Sequence, residues 1–180
     1  MIPPNAKRVF KGITNDVYQW PQKLFDGTST TFERIKRPDS AKVIPVLDGK
    51  IVFTNEEQPA HGTFYNVVGG RMDDGETPLE SAKRELLEEN GLVSDDWDLI
   101  KEYRDHNGLE WNIHLFVARN CQKERASKND AGEKIKVKTG TWNEFVKVVK
   151  SPQFRLKCLS LDFFQMSTKK LNNLKEHILK

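Results

Sequence analysis

The amino-acid sequence predicts an α+β domain built from layers of strands and helices. Three observations lead to this prediction. Two Asp-Gly pairs, at 26–27 and 48–49, each stand between strand-like segments and are typical of tight hairpin turns. Residues 78–90 follow the helical period and have both a start and a stop signal. The other strand-like segments are mostly grouped, with helical segments between them, which favours a layered domain.

The length and composition of the chain limit its class. With 180 residues, 37% of them hydrophobic, it suits one globular domain better than two. No apolar run approaches the roughly 20 residues needed to cross a bilayer, and the first residues lack the apolar stretch of a signal peptide. The two cysteines, Cys121 and Cys158, have no metal-ligand spacing. We therefore expect a soluble, cytoplasmic protein with no membrane partner, no disulfide framework and no zinc site.

The net charge of +3 is unevenly distributed along the chain. Residues 1–120 contain 15 Lys and Arg against 20 Asp and Glu, whereas residues 121–180 contain 14 against 6. A basic segment can attract phosphates or nucleic acid. Here the lysines are scattered and no aromatic residues alternate with them, so we interpret the segment as a solvated surface and give nucleic acid little weight.

The N-terminal 68 residues predict a tail followed by strands. Residues 1–12 are expected to form a loose tail, and residues 17–36 a first hairpin around its Asp-Gly turn. Residues 43–47 and 50–54 form a second pair, although Pro45 cannot donate to a ladder and suggests an edge or a bulge. A further strand is expected at 64–68, directly before two glycines.

The segment 78–90 predicts a helix that has both a start signal and a stop signal. Thr77 can act as N-cap, Pro78 suits the first turn, Glu80 completes a capping box, and Asn90-Gly91 supplies the stop. Three apolar residues share one face of this helix and should pack on a sheet: Leu79, Ala82 and Leu86.

The C-terminal half predicts three more strands and two more helices. The strands are expected at 99–103, 111–118 and 134–138, and the helices at 142–150 and 168–179.

Three glutamates of the predicted helix lie at i, i+3 and i+4: Glu85, Glu88 and Glu89. Their carboxylates can converge, which is unfavourable because like charges repel and the helix C-terminus carries partial negative charge. A divalent cation would reverse the sign of that interaction, and oxygen ligands favour Mg²⁺, with Mn²⁺ as the alternative. On spacing alone, a solvated acidic face explains these residues better than a metal site.

The residues around these glutamates change that interpretation. From Gly70 to Leu92 the sequence GRMDDGETPLESAKRELLEENGL fits G-x5-E-x7-R-E-U-x-E-E-x-G-U at every fixed position, where U is a bulky aliphatic residue. A chance match in a chain of this length is expected on the order of once in ten million. The pattern is the Nudix box, in the strand-loop-helix context that it requires, so the chain resembles the Nudix hydrolases.

This resemblance implies a fold and a domain organisation. The fold would be an α/β/α sandwich around a mixed β-sheet with an N-terminal β-hairpin extension. Residues 1–40 would form the tail and extension, and residues 41–180 the Nudix domain, with the box at 70–92.

The resemblance also implies the roles of individual residues. Glu85 and Glu89 match the principal metal ligands, and Glu88 matches a further ligand or a water-mediated contact. Gly69, which precedes the box, would offer its backbone carbonyl to the metal. Glu76 and Arg84 would form a supporting pair that orients the ligand-bearing helix.

The implied reaction is the hydrolysis of a pyrophosphate bond by metal-activated water. The substrate would be a small nucleoside diphosphate derivative. In this family the general base often lies outside the box, and our candidate is Glu133, in a Gly-containing loop before a predicted strand. An ordinary charged loop residue is the competing interpretation of Glu133. Glu88 and Asp130 are the other candidates for the base.

Beyond the box, the chain is similar to the ADP-ribose pyrophosphatase subfamily over most of residues 15–150. The similarity rests on the N-terminal hairpin, on 32–40, on 43–49 and on 133–137. It makes ADP-ribose or a related nucleotide sugar the preferred substrate, and it implies a homodimer formed through the hairpin region. Three departures weaken the substrate assignment: Gln58-Pro59 where those enzymes often carry an arginine, Asn66–Gly69 in place of Glu-Leu-Pro-Ala, and Ala131 in place of an acidic residue.

Two other functions remain open at this point. An RNA-processing or decapping Nudix hydrolase would make use of the basic segment 121–180. A non-catalytic, nucleotide-sensing Nudix module would usually have a degraded box, whereas every metal-carrying position of this box is intact.

Overall fold

The computed structural model describes residues 1–104, 108–128 and 134–180. Within these residues the chain forms twelve strands and four helices. The strands are β1 (Lys7–Lys11), β2 (Asp16–Lys23), β3 (Ser29–Lys36), β4 (Ser40–Leu47), β5 (Lys50–Gln58), β6 (Gly62–Asn66), β7 (Leu92–Val93), β8 (Asp96–Tyr103), β9 (Leu109–Glu110), β10 (Ile113–Arg119), β11 (Gln122–Lys123) and β12 (Lys134–Gly140). The helices are α1 (Pro78–Asn90), α2 (Trp142–Val149), α3 (Lys157–Gln165) and α4 (Thr168–Leu179).

A mixed sheet forms the centre of the molecule. Its strand order is β12-β5-β4-β10-β8, and β6 pairs with β5 outside this path. Strands β4 and β10 are parallel, while the other pairs in the sheet are antiparallel. The arrangement agrees with the α+β class expected from the sequence.

Helices cover both faces of this sheet, and the side chains of β4 alternate between the two cores that result. Ala41 and Val43 pack in a cluster with apolar residues of α1. Ile44 and Val46 belong to a second, larger cluster with residues of α2, α3 and α4. Successive side chains of a strand point to opposite faces, so one strand supplies both cores. The result is a three-layer arrangement of helix, sheet and helices.

The connection between β6 and α1 lies beside β4 and brings two glycines next to the helix. The N–H groups of Ala41 and Val43 donate to the carbonyls of Gly70 and Val68, at 3.1 and 2.9 Å. Gly69 has a φ of 119°, and a Cβ there would lie 2.2 Å from the Ala41 carbonyl oxygen. Only glycine fits so close to another backbone in this left-handed conformation.

The hairpin between β4 and β5 forms as predicted. Val46 faces Ile51 and Leu47 faces Lys50 across a two-residue turn. Both turn residues have positive φ, 50° at Asp48 and 71° at Gly49. These values suit a turn whose twist matches that of the two strands, which explains the Asp-Gly signal.

The expectation that Pro45 marks an edge or a bulge is wrong. Strand β4 lies between β5 and β10, inside the sheet, and Pro45 keeps its regular register against β10. Backbone N–H groups alternate along a strand, and that of Val43 donates to Val68. The position where Pro45 lacks an N–H therefore faces the same side of β4 as the Val43 N–H. On that side β4 begins to pair with β5 only at Val46, one residue later. No ladder hydrogen bond is lost there.

A second sheet, β1-β2-β3-β9, contains the N-terminal hairpin. Strands β2 and β3 confirm that hairpin, but the expected tail at 1–12 is wrong, because β1 pairs with β2 from Lys7↔Gln19 to Lys11↔Asp16. All five residues of β1 are exposed. Without a buried face the strand leaves no alternating pattern, and only its backbone partner defines it.

The C-terminal region contains one helix that the sequence did not predict. Helices α2 and α4 form close to their predicted ranges, whereas α3 lies in a segment assigned to no element. Its N-cap, Leu156, makes no side-chain capping bond, so no local start signal exists. Phe163 anchors α3 instead, with its ring 5.9 Å from Trp142 and 6.0 Å from Phe145. Among the described helices, none is long and apolar enough to span a membrane.

Candidate functional site

A cavity of about 790 Å³ opens between α1, the connection before it and the ends of β4, β5 and β6. Its lining divides into two parts. We call the part around Glu85, Glu89 and Gly69 the acidic end, and the part around Arg37, Arg71 and Arg155 the arginine end.

Helix α1 fixes the acidic end through its two termini. The Thr77 side chain accepts from the Glu80 N–H, and the Glu80 carboxylate accepts from the Thr77 N–H at 2.8 Å, which completes the predicted capping box. Gly91 ends the helix in the left-handed region with a φ of 62°. Because Ala82 and Leu86 are buried against the sheet, the position of Glu85 on the helix directs it into the cavity.

Glu85 and Glu89 lie together beside the two glycines. The Gly69 N–H donates to a Glu89 carboxylate oxygen at 3.0 Å. A Cβ on Gly70 would lie 2.6 Å from Oε1 of Glu85, so a larger residue there would displace the Glu85 carboxylate. Burial raises the pKa of both carboxyl groups, that of Glu89 to about 7, although Lys42 and the Gly69 N–H act in the opposite direction on Glu89. Two acidic groups held out of water so close together favour a cation between them.

Lys42, which the sequence interpretation missed, supplies a positive charge at this end. Its ammonium group donates to the Gly69 carbonyl oxygen, and its charge partly offsets the rise that burial causes in the pKa of Glu85 and Glu89. The signal for it was a single charged residue flanked by the apolar residues Ala41 and Val43, directly before the predicted strand at 43–47. A charge in such a position is rarely tolerated without a partner.

Arg84 connects the loop before α1 to the acidic helix. Its guanidinium donates to both carboxylate oxygens of Glu76, at 2.7 and 2.9 Å, and to Oε1 of Glu85 at 2.8 Å. The hydrogen bond from Arg84 is the main reason why the pKa of Glu76 falls to about 2. Arg84 therefore links Glu76 to Glu85 through hydrogen bonds, and the role of this pair in orienting the metal ligands stays a prediction.

The remaining predicted site residues lie elsewhere. Glu88 accepts from Arg84 at 3.2 Å, its side chain is 45% exposed, and it is absent from the cavity lining. Glu133 and Asp130 lie outside the described residues. The structure thus brings Glu85, Glu89 and Gly69 together and places Glu88 on the outer side of Arg84.

The oxygen atoms at the acidic end suit a hard divalent ion. Within residues 1–104, 108–128 and 134–180, no three His, Cys, Asp or Glu side chains are arranged to hold a metal. The available protein ligands are two carboxylates and the Gly69 carbonyl, and this carbonyl accepts from Lys42. Such a set leaves room for waters and substrate oxygens, which Mg²⁺ usually retains. Lys42 would have to release the carbonyl for the ion to bind there.

Glu56 is a further acidic residue that the sequence did not single out. It is 5% exposed, lines the cavity and accepts from the Thr54 hydroxyl at 2.6 Å. Its charge also raises the pKa of Glu89. Nothing in the local sequence distinguishes Glu56 from its neighbour Glu57, because only the pleat of β5 places one inside and the other outside.

The arginine end was also missed from the sequence. The Arg37 guanidinium lies 4.3 Å from the centre of the Trp111 ring, and Trp111 Nε1 donates to the Ser40 hydroxyl at 3.0 Å. The Arg155 guanidinium lies 4.7 Å from the centre of the Phe64 ring. The two arginines are more than a hundred residues apart along the chain, so no local pattern joins them.

Comparison with known proteins gives consistent results. A family model described as NUDIX domain matches residues 36–156. An ADP-ribose pyrophosphatase of Bacillus subtilis (strain 168) is 28% identical over 149 residues, covering 81% of this chain and 80% of the relative. A methanol dehydrogenase activator of Bacillus methanolicus is 27% identical with the same coverage. The match to the family model agrees with the box that the sequence analysis identified.

A solved structure shows the same fold. The crystal structure of an ADP compounds hydrolase aligns with a TM-score of 0.73, at 20% sequence identity, and covers 89% of both chains. At this identity the likeness shows the fold alone, and it confirms the predicted α+β fold.

Proposed function

Since the chain belongs to the Nudix family and is a Nudix pyrophosphohydrolase, we propose that it cleaves ADP-ribose or a related nucleotide sugar with the help of Mg²⁺. Its relation to an ADP-ribose pyrophosphatase supports a nucleoside diphosphate derivative as substrate. The observation that carries the proposal is the convergence of Glu85, Glu89 and the Gly69 carbonyl in one cavity.

In the proposed mechanism each residue of the acidic end has one task. Glu85, Glu89 and the Gly69 carbonyl would hold Mg²⁺, or Mn²⁺ in its place, and Glu88 would add a further or water-mediated contact. When bound, the ion neutralises charge on the diphosphate and makes water more acidic. Arg84 and Glu76 keep Glu85 in position, because their hydrogen bonds restrict the helix and the loop together.

The proton of the attacking water needs an acceptor, and Glu133 is our candidate for that general base. Replacing Glu133 with Gln should lower the turnover number by roughly 10² to 10⁴, because general-base catalysis contributes about that much. Mg²⁺ affinity, measured separately by calorimetry, should stay close to that of the wild type. A loss of rate that excess Mg²⁺ restores would make Glu133 a ligand instead, and a normal rate would transfer the role to Glu88 or Asp130.

A substrate panel tests the proposal as a whole. The purified protein is incubated with ADP-ribose, other nucleotide sugars and capped RNA, with Mg²⁺ or EDTA, and release of monophosphates is measured. We expect Mg²⁺-dependent cleavage of ADP-ribose or a nucleotide sugar and little cleavage of capped RNA. Preferential cleavage of capped RNA would support an RNA-processing hydrolase, and no cleavage of any compound would support a nucleotide-sensing module.

We also propose that the protein forms a homodimer through the N-terminal sheet. Strands β1 and β3 expose apolar side chains, among them Phe10 at 60%, Phe32 at 44% and Ile35 at 44%. A grouped set of exposed apolar residues often marks an interface. Light scattering at tens of micromolar should give the mass of two chains, and Phe10→Asp should give one. Phe164→Asp on α3, where Phe164 is 61% exposed, is the matched control.

The proposed compartment is the cytoplasm. Cys121 and Cys158 are both free, and burial raises the pKa of both thiols. Unpaired thiols are typical of proteins in a reducing environment.

A further inference from the structure

The arginine end of the cavity contains three arginines, and Arg37 lies within electrostatic range of the other two. Arg37, Arg71 and Arg155 all line the cavity. Burial lowers the pKa of Arg37, and the charges of Arg155 and Arg71 lower it further. Like charges that are partly removed from water destabilise the protein unless an opposite charge is near.

Direct pairing with a carboxylate does not neutralise these arginines in the part of the chain that the structure describes. None of the three arginines forms an ion pair with a described carboxylate. The Nε atom of Arg37 is buried and has no hydrogen-bond partner among the described residues. A buried donor without a partner is uncommon, and a bound ion or water is one explanation for it.

Two of the guanidinium groups are held in fixed positions. The Arg37 guanidinium lies over the Trp111 ring, and Arg155 lies over Phe64 and donates to Oε1 of Gln58 at 3.0 Å. The Arg155 backbone is fixed as well, because its N–H donates to the Tyr65 carbonyl at 2.9 Å. Stacking on aromatic rings orients an arginine and leaves N–H groups for a planar or tetrahedral anion.

The charges at the two ends of the cavity indicate which anion the arginines would bind. At the acidic end, the proposed metal ion and Lys42 already supply positive charge for the diphosphate. Outside its diphosphate, ADP-ribose has no ionised phosphate that three further arginines could bind. A substrate with an additional phosphate would satisfy the arginine end, since guanidinium and phosphate form strong charge-assisted hydrogen bonds.

We propose that Arg37, Arg71 and Arg155 form a second anion subsite that selects nucleoside diphosphate derivatives carrying a further phosphate group. This inference rests on the proposed hydrolase function, and it makes the additional phosphate the feature that distinguishes good substrates from ADP-ribose itself. The further phosphate is either a monoester elsewhere on the nucleotide or part of a longer phosphate chain.

Steady-state kinetics with three compounds test the subsite. The values of kcat/KM are compared for ADP-ribose, for ADP-ribose 2′-phosphate and for diadenosine tetraphosphate, with saturating Mg²⁺. We expect at least one phosphate-rich compound to exceed ADP-ribose by roughly 10- to 100-fold, which corresponds to one charge-assisted hydrogen-bonded contact. The better of the two distinguishes a monoester from a longer chain. Equal values for all three compounds would overturn the proposal.

Two variants and a control assign the preference to the arginines. Arg37→Gln and Arg155→Gln should each reduce the ratio of phosphate-rich substrate to ADP-ribose to near one. Arg125→Gln should leave that ratio unchanged, since Arg125 is exposed and lies outside the cavity lining. If Arg37→Gln and Arg155→Gln lower kcat/KM for every compound by the same factor, the arginines bind the scissile diphosphate and the proposal is wrong. Circular dichroism confirms that each variant is folded.

A binding measurement separates this proposal from the proposed function. Calorimetry in EDTA, where no metal-dependent turnover occurs, compares ADP-ribose 2′-phosphate and diadenosine tetraphosphate with ADP-ribose. Tighter binding of a phosphate-rich compound that Arg37→Gln abolishes would support the subsite even if no compound is hydrolysed. Hydrolysis of ADP-ribose without any such difference in binding would retain the function and reject the subsite.

Discussion

Helices α1 and α2 begin with the same capping device and end in opposite ways. Thr77 with Glu80, and Thr141 with Glu144, form equivalent capping boxes with N–H to carboxylate distances of 2.8 Å. The last turn of α2 contains Lys147, which suits the negative end of a helix dipole. The last turn of α1 contains no basic residue.

The buried faces of the two helices differ in the same way. Helix α2 buries large apolar side chains, Trp142, Phe145 and Val149. Helix α1 buries Ala82 and Leu86 but also holds Glu85 in the cavity. Both helices are started by the same local bonds, but of the two only α1 carries acidic side chains without a basic residue in its last turn, as the proposed cation site would require.

The largest expected effect lies in α2 and concerns stability. Phe145 is fully buried and its ring lies about 6 Å from those of Trp142 and Phe163. Phe145→Ala should lower the free energy of unfolding by about 3 to 5 kcal/mol, because it leaves a cavity in the core. Denaturant unfolding measures this loss, and calorimetry on the folded variant should show normal Mg²⁺ binding. A loss below about 1 kcal/mol would contradict the assigned role of α2.

The matching substitution in α1 should affect activity rather than stability. Glu89→Gln should lower kcat by at least about 100-fold, since even residues that only support ligands cost 10- to 100-fold. Without metal, the variant should melt at the same temperature or higher, because a buried, repelled charge is gone. Rates and thermal melts with Mg²⁺ and with EDTA test both parts, with Glu176→Gln on α4 as control. Undiminished turnover would remove Glu89 from the metal site.

Glu76 connects the start of α1 to its acidic face and gives a pH-dependent test. Its pKa lies near 2, below the ordinary value of 4.5, because Arg84 donates to it. A lowered folded pKa means stability that is complete above about pH 4.5 and disappears as the pH falls towards 2. Glu76→Gln should therefore lower the free energy of unfolding by about 1 to 2 kcal/mol at pH 7. The difference in stability between variant and wild type should narrow below pH 5. A stability difference that is independent of pH would exclude the Glu76–Arg84 pair as the cause of the loss.

Lys42 tests whether the acidic end of α1 is balanced by a built-in cation. Lys42→Met should raise Mg²⁺ affinity by roughly tenfold, since one nearby positive charge is removed, and should lower the melting temperature in EDTA. Calorimetry and thermal melts measure these two changes. Val43→Met, on the same strand but packed in the α1 core, controls for the new side chain. Unchanged Mg²⁺ affinity would show that Lys42 does not compete with the ion.

The smallest expected effects concern the shared caps. Thr77→Ala and Thr141→Ala should each lower the free energy of unfolding by about 1 kcal/mol, because each removes one capping bond. Urea unfolding of both variants tests the equivalence directly. Values that differ by more than about 1 kcal/mol would show that the two capping boxes are not interchangeable parts of the fold.

Local patterns were sufficient for some elements and insufficient for others. Helix α1 was predicted at 78–90 because its cap, its proline and its glycine stop all lie within the segment. Strand β1 and helix α3 were missed because one has no buried face and the other has no capping bond. Each of these two elements forms only where another part of the chain pairs with it or packs on it.

The candidate site shows the same division. The box pattern selected Glu85, Glu88 and Glu89 together, since helical spacing treats them alike. In the structure Glu88 is absent from the cavity lining, while Gly69 and Gly70 lie against the other two. Spacing along one helix predicts a common side, but side-chain partners decide which carboxylates face the same space.

The sequence by itself determined the family, the α+β class and the bounds of α1, because these depend on residues close together in the chain. Only the tertiary structure decided that Lys42 lies at the acidic end of the cavity, that Glu56 faces inwards, and that Arg37 and Arg155 share one end of the cavity. The physical reason is distance along the chain. Sheet pairing and core packing bring these residues together, and no local pattern encodes such contacts.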